Sequence, residues 1–270
     1  MTADDVLTPP SFEEFCGKFQ FRPEHSGEIG IEQESLVLQN GLVTPQAKHV
    51  LDHLYSNGCC SAYFGPELSA CQIEDRVGPV SLADLNNHLS YNEMVLSHCV
   101  ANLGLSLQRD GVGPKSMPLD VSSGARYQSI AKTLSPEQLS VACRLIGTHV
   151  HVGMPNIHSA VCAYNMAVSC FDDLVFLSGE KNLERLQLYG LMGPNTRPAT
   201  FSTLHDFYFH ACCHGHAHDP RKNYALIRIS PHGTVEFRVF GATSNVLLVE
   251  KWARSCLSLC QPFVTSSASV

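Results

Sequence analysis

Alternation of apolar and polar residues is the strongest local signal in this chain. In GEIGIEQESLVL the two classes alternate from Ile29 to Leu38. A strand then carries Ile29, Ile31 and Gln33 on one face and Gly30, Glu32 and Glu34 on the other. Asn40-Gly41 predicts a two-residue hairpin turn, and Leu42-Val43 begins the return. A 3.6-residue period through Ala47, Val50, Leu51 and Leu54 predicts a helix opened by Thr44-Pro45. Residues 70–77 read as a short strand, and Ser81 as the cap of a long helix from about 82 to 103. A strand and a Gly/Pro-rich loop follow over 104–118, then a helix over 124–134. Ser135-Pro136-Glu137-Gln138 has the form of a capping box. CRLIGTHVHVG reads as a strand, 157–178 as one long apolar helix and 179–203 as irregular. Residues 204–218 mix aromatics with histidines. ALIRISP and HGTVEFRVFG are strands, and a final helix spans 246–259.

These elements lack a regular βαβ rhythm and include hairpin signals, which predicts an α+β fold with an antiparallel sheet packed by helices. One domain over 1–270 is expected, with its core at about 27–260 and a fraying tail, TSSASV, at 265–270. Composition narrows the function classes. Charged residues are 16% and hydrophobic residues 44%, so the chain is not a disordered one. A net charge of −7 argues against a nucleic-acid scaffold. No apolar run reaches the length of a membrane span, and the acidic start, MTADDVLTPPSFEEF, is unlike a secretory signal. The twelve cysteines are scattered without a CxxC pair, which predicts reduced thiols and a cytoplasmic location.

Acidic residues inside otherwise apolar strands carry the candidate chemistry. Glu32 and Glu34 leave one face of a strand about 7 Å apart, which is costly on a packed sheet unless a cation sits between them. Glu74 lies in CQIED, Glu67 in FGPELS and Glu236 in GTVEFRVF, with Arg238 two residues on and so on the same face. His149 and His151 alternate with valines in THVHVG, so both imidazoles leave one face. Carboxylates with one or two imidazoles suit Mg²⁺ or Mn²⁺ better than a thiolate zinc site. With arginines nearby, this is the composition of a place where divalent cations meet nucleotide phosphates.

GIEQES, QIEDRVGP, RYQSIA, RLIGTHVHVGMP and GTVEFRVFGAT, in this order, resemble the glutamate–cysteine ligase type 2 family of carboxylate–amine ligases, over roughly residues 27–245. The resemblance implies a catalytic fold like that of glutamine synthetase, a fold that guanidino kinases share. It implies that Glu32, His149 and Glu236 hold one Mg²⁺ bridging ATP phosphates. Glu34, with Glu67 and Glu74, would surround a second. Arg238 would meet the phosphates and an acyl-phosphate intermediate, Arg185 another phosphate, and His151 the substrate carboxylate or a phosphate. The implied reaction is phosphorylation of the side-chain carboxylate of glutamate or a close analogue by ATP, followed by attack of an amine such as cysteine. The implied partners are small-molecule substrates rather than nucleic acid or a membrane, with a homo-oligomer allowed.

Against that family the chain is short, with the shortfall expected between Gly179 and Tyr224 and after Thr243, and HACCHGHAHD is unusual. The last segment supports a rival reading, a cytosolic metal-binding protein using His210, Cys212, Cys213, His214, His216 and His218. A guanidino kinase-like phosphotransferase is a rival within the same fold, and a non-catalytic relative is a third. The filled ligand positions speak against the last.

Overall fold

The computed structural model describes residues 8–109, 111–179, 182–193 and 195–265. Its frame is an antiparallel sheet built on β1, Ile29–Gln39. To one side of β1 lie β4, Gln72–Val80, and then β3, Phe64–Pro66. To the other lie β6, Gly147–Gly153, then β8, Thr234–Gly241, and β7, Ile227–Ser230. Two short strands, β2 at Leu42–Val43 and β5 at Ser106–Gln108, pair with the far end of β1. The hairpin expected at Asn40-Gly41 forms with φ of 51° and 78° at the two residues, the left-handed conformations that this dipeptide tolerates.

The two faces of the sheet differ as the alternation predicts. Ile29 and Ile31 of β1, Val150 and Val152 of β6, Val235, Phe237 and Val239 of β8, and Ile227 and Ile229 of β7 are buried in one core. The helices α3, Leu85–Asn102, α6, Ile157–Ser169, and α10, Val246–Val264, pack against it. Trp252 of α10 stacks on Phe240 at 4.7 Å, and Cys256 and Cys260 are buried beside it. A second cluster joins α2, Ala47–Ser56, through Ala47, Val50, Leu51 and Leu54, to Leu96 and Val100 of α3. Arg109, buried at this end, ties Ser35 of β1 and Asp75 of β4 to Glu93 of α3.

Several boundaries differ from the sequence reading. The α3 helix starts at Leu85 because Ser81 caps a preceding turn, accepting from the Asp84 N–H at 3.2 Å. The apolar stretch 157–178 is two helices, α6 and α7, Phe171–Ser178, bent by 65° at Cys170. Asp172 and Asp173 occupy the first turn of α7, where acidic side chains favour a new helix start. The stretch 179–203 contains the helix α8, Leu183–Tyr189, whose inward positions are the unusual pair Arg185 and Tyr189. Thr203 and Asp206 form a capping box that opens the helix α9, Leu204–Cys213. The capping box at Ser135 opens α5, Pro136–Arg144, as expected, and α4 spans Ala125–Thr133. At the N-terminal side α1, Phe12–Cys16, packs on α9, with Phe15 and Phe207 rings 5.1 Å apart. The last helix runs past 259 to Val264, and residues 266–270 of the expected tail lie outside the described residues. No single helix among the described residues is long and apolar enough to cross a membrane.

Candidate active site

The polar face of the sheet floors a cavity of about 1280 Å³. Strand register determines which side chains meet there, because residues directly opposite on antiparallel strands bring their Cβ atoms to about 5 Å. Arg76 of β4, Glu32 of β1 and His149 of β6 stand opposite one another in one row. Gly30, His151, Glu236 and Arg228 form the next, across β1, β6, β8 and β7. Glu34 and Glu74 form a third. A register shift between Thr148 and Val150 offsets β8 against β6 at this point.

Ligand-type atoms of Glu32, His149 and Glu236 lie within 4.8 Å of one another, the only such group among the described residues. His149 Nδ1 is 3.2 Å from Glu32 Oε2, and its Nε2 is 3.7 Å from Glu34 Oε1. Burial, with the charge of Arg238, pushes His149 down to about 4, so its ring is neutral and able to offer a lone pair. Glu236 is wholly buried and yet ionised. Burial alone would raise its pKa, but Arg228 and Arg238 hold it far below the carboxylate range. Arg228 grips both its oxygens, Nε to Oε2 at 2.6 Å and Nη2 to Oε1 at 3.0 Å, and Arg238 Nη1 donates to Oε1 at 2.7 Å. Three of about four lone-pair directions are thus taken, leaving one for a further ligand.

The remaining acidic residues, Glu34, Glu67 and Glu74, adjoin this cluster in the same cavity. Glu34 accepts from the Gly147 N–H at 2.6 Å, and burial together with the charge of Glu67 pushes it up to about 8. Burial and neighbouring carboxylates raise Glu67 and Glu74 as well, although Arg76 pairs with Glu74 at 2.6 Å. Carboxylates that repel one another in a buried place fit a bound cation, which replaces the missing counter-charge. His151 Nδ1 meets Thr234 Oγ1 at 2.8 Å, and its Nε2 points toward Glu32 Oε2 at 3.5 Å.

The two arginines expected at the site have different partners. Arg238 donates through Nε to Tyr189 Oη at 3.0 Å and faces the cavity beside Glu236. Arg185 is almost wholly enclosed, and its guanidinium donates to the carbonyls of Ile146 and Arg238 at 2.8 and 3.1 Å. It forms the cavity wall near Glu34. Arg228 and Arg76 are functional candidates that the sequence reading missed. Both sit at alternating positions, in ALIRIS and QIEDRV, the same signature that flagged the glutamates.

The family model described as glutamate-cysteine ligase family 2 matches residues 28–171, just over half of the chain. The chain belongs to that family. No curated protein matches it. Among solved structures, this family member resembles a bifunctional glutathione synthetase from Pasteurella multocida at 12% identity and a TM-score of 0.57, covering 95% of this chain and 40% of that one. It also resembles Plasmodium falciparum glutamine synthetase, at 11% identity and a TM-score of 0.50, covering 93% of this chain and 55% of that one. The fold is therefore glutamine-synthetase-like. The family member spans about half of the length of these structures or less.

Proposed function

We propose that this chain carries the catalytic site of an ATP-dependent carboxylate–amine ligase acting in the cytoplasm. The observation that carries the reading is the cluster of Glu32, His149 and Glu236 beside Arg228 and Arg238, with three further carboxylates lining the same cavity. Glu32, His149 and Glu236 would hold one Mg²⁺ or Mn²⁺, and Glu34, Glu67 and Glu74 a second. The ions would supply positive charge to the ATP phosphates. Arg238 lies beside the first group and presents its guanidinium to the transferring phosphoryl group. Arg228 keeps Glu236 ionised and oriented. Arg185 fixes the wall behind Glu34 and contributes its charge from there. His151, held by Thr234, faces the same space and is placed to meet a phosphate or a substrate carboxylate. Such a site stabilises charge and positions groups, which is most of what phosphoryl transfer requires.

The donor in this reading is the side-chain carboxylate of glutamate or a close analogue, activated as an acyl phosphate and captured by an amine such as cysteine. Hydroxylamine in place of the amine separates this from a guanidino kinase-like reaction. The protein should form a hydroxamate and ADP from glutamate, ATP and Mg²⁺. Glu32→Gln should lower that rate by about 10²–10³-fold, the scale of losing one charge-stabilising group. ADP formation with a guanidinium acceptor and no hydroxamate from any acid would reverse the assignment.

A further inference from the structure

A second group of metal-type side chains lies outside the active site, on the last turn of α9 and the residues after it. The rings of His210, His214 and His216 have centroid separations of 4.0, 5.7 and 6.4 Å. Rings sharing one tetrahedral ion at about 2.0–2.1 Å per nitrogen have centroids on the order of 5 Å apart. The environment of each ring is that of a ligand. His214 Nδ1 lies 2.8 Å from the His210 carbonyl oxygen, which can only accept, so Nδ1 carries the proton and Nε2 the lone pair. His216 is 4% exposed, and its Nε2 is buried with no hydrogen-bond partner. His210 Nδ1 is likewise buried and unpartnered. Two orphaned ring nitrogens on neighbouring histidines are a cost that a buried polar group ordinarily avoids.

We propose that His210, His214 and His216 form a site for a borderline transition-metal ion of the zinc class. Imidazole donors without carboxylates select Zn²⁺, Co²⁺ or Ni²⁺ over Mg²⁺, so the two kinds of site in this molecule take different ions. The three rings do not bring their nitrogens within 4.8 Å of one another as Glu32, His149 and Glu236 do. The site therefore closes on its ion, with the exposed His214 as the moving arm and the buried His216 as the fixed one. Its position gives the ion a consequence. Two residues beyond His216, the chain enters the cavity wall, where His218, Asp219, Arg221 and Lys222 line the space above the sheet. An ion at the cluster clamps the turn leading into that wall to the end of α9.

Cobalt(II) makes the test direct, because an imidazole-rich site of low coordination number absorbs visibly and a carboxylate-rich octahedral one absorbs weakly. One equivalent of Co²⁺ is added to the full chain in saturating Mg²⁺, and the visible bands are titrated and then displaced with Zn²⁺. The wild type should give one site. His214→Gln, at an exposed position that does not hold the fold, should weaken it at least about tenfold, the scale of losing even a supporting contact. His216→Gln should do the same, and Glu236→Gln should leave it unchanged. Bands that survive in both histidine variants, or that disappear in Glu236→Gln, overturn the proposal, as does the absence of bands in the wild type. None of these outcomes depends on the ligase reading.

Discussion

Arg228 and His216 show how much a single residue's surroundings decide. Arg228 holds Glu236 through a two-pronged contact that a lysine ammonium cannot reproduce. Arg228→Lys keeps the charge, so the fold should survive while kcat for ADP formation falls by about tenfold or more; an unaltered kcat would mean that Glu236 needs only Arg238. His216 gives a pH signature. Burial, then the neighbouring histidines, push it down to about 4 from a reference of 6.5. Between those values the unfolded chain binds a proton that the folded chain does not. Stability is therefore lost as pH falls through that window and is fully present above about 6.5. Urea unfolding in the presence of a chelator should show the wild type losing roughly 2 kcal/mol more than His216→Gln between pH 7 and pH 5. Equal slopes would place His216 in contact with water.

At the scale of elements, β1 and β6 were legible because side chains alternate between faces along Ile29–Glu34 and Thr148–Val152, and the polar residues on the cavity face, Glu32, Glu34, His149 and His151, are all of metal-binding type. The partners that complete the site were legible only in part. Glu236 and Arg238 stand out in TVEFR, whereas Arg228, though it alternates with isoleucines, shows its partner only when register places it opposite Glu236. The α8 helix was not legible at all, since its buried positions are an arginine and a tyrosine rather than an apolar stripe. The break at Cys170 was hidden for the opposite reason, because apolar stretches flank it closely and only Asp172 and Asp173 mark the restart. Register and close packing also explain Gly147. A Cβ there would lie 2.3 Å from Arg185 Nη2, and that guanidinium is fixed by two carbonyls and has little room to retreat. Gly147→Ala should therefore cost about 1–3 kcal/mol, the range for overpacking. Gly190→Ala, with nothing within 4 Å, should be nearly neutral. Chemical denaturation of the two variants decides this, and equal stabilities would mean that Arg185 is mobile.

For the molecule as a whole, twelve cysteines occur and all are free thiols. Cys60, Cys162 and Cys213 are exposed, while Cys71, Cys99, Cys143, Cys256 and Cys260 are buried. A thiol reagent should label the three exposed positions fast in the native protein and all twelve after denaturation; early labelling of Cys256 or Cys260 would show that α10 detaches readily. Conversely, among the described residues the peripheral strands of the sheet are all brief. β3 has three residues and ends on Pro66, β7 has four, β2 two and β5 three. A long open edge invites a neighbouring chain to add a strand, and edges this short, one closed by a residue without an N–H, offer little to copy. Extending one sheet into the next is therefore a poor way to join two copies of this fold. Helix faces and loops offer a second copy more surface to pack on than these strand edges do.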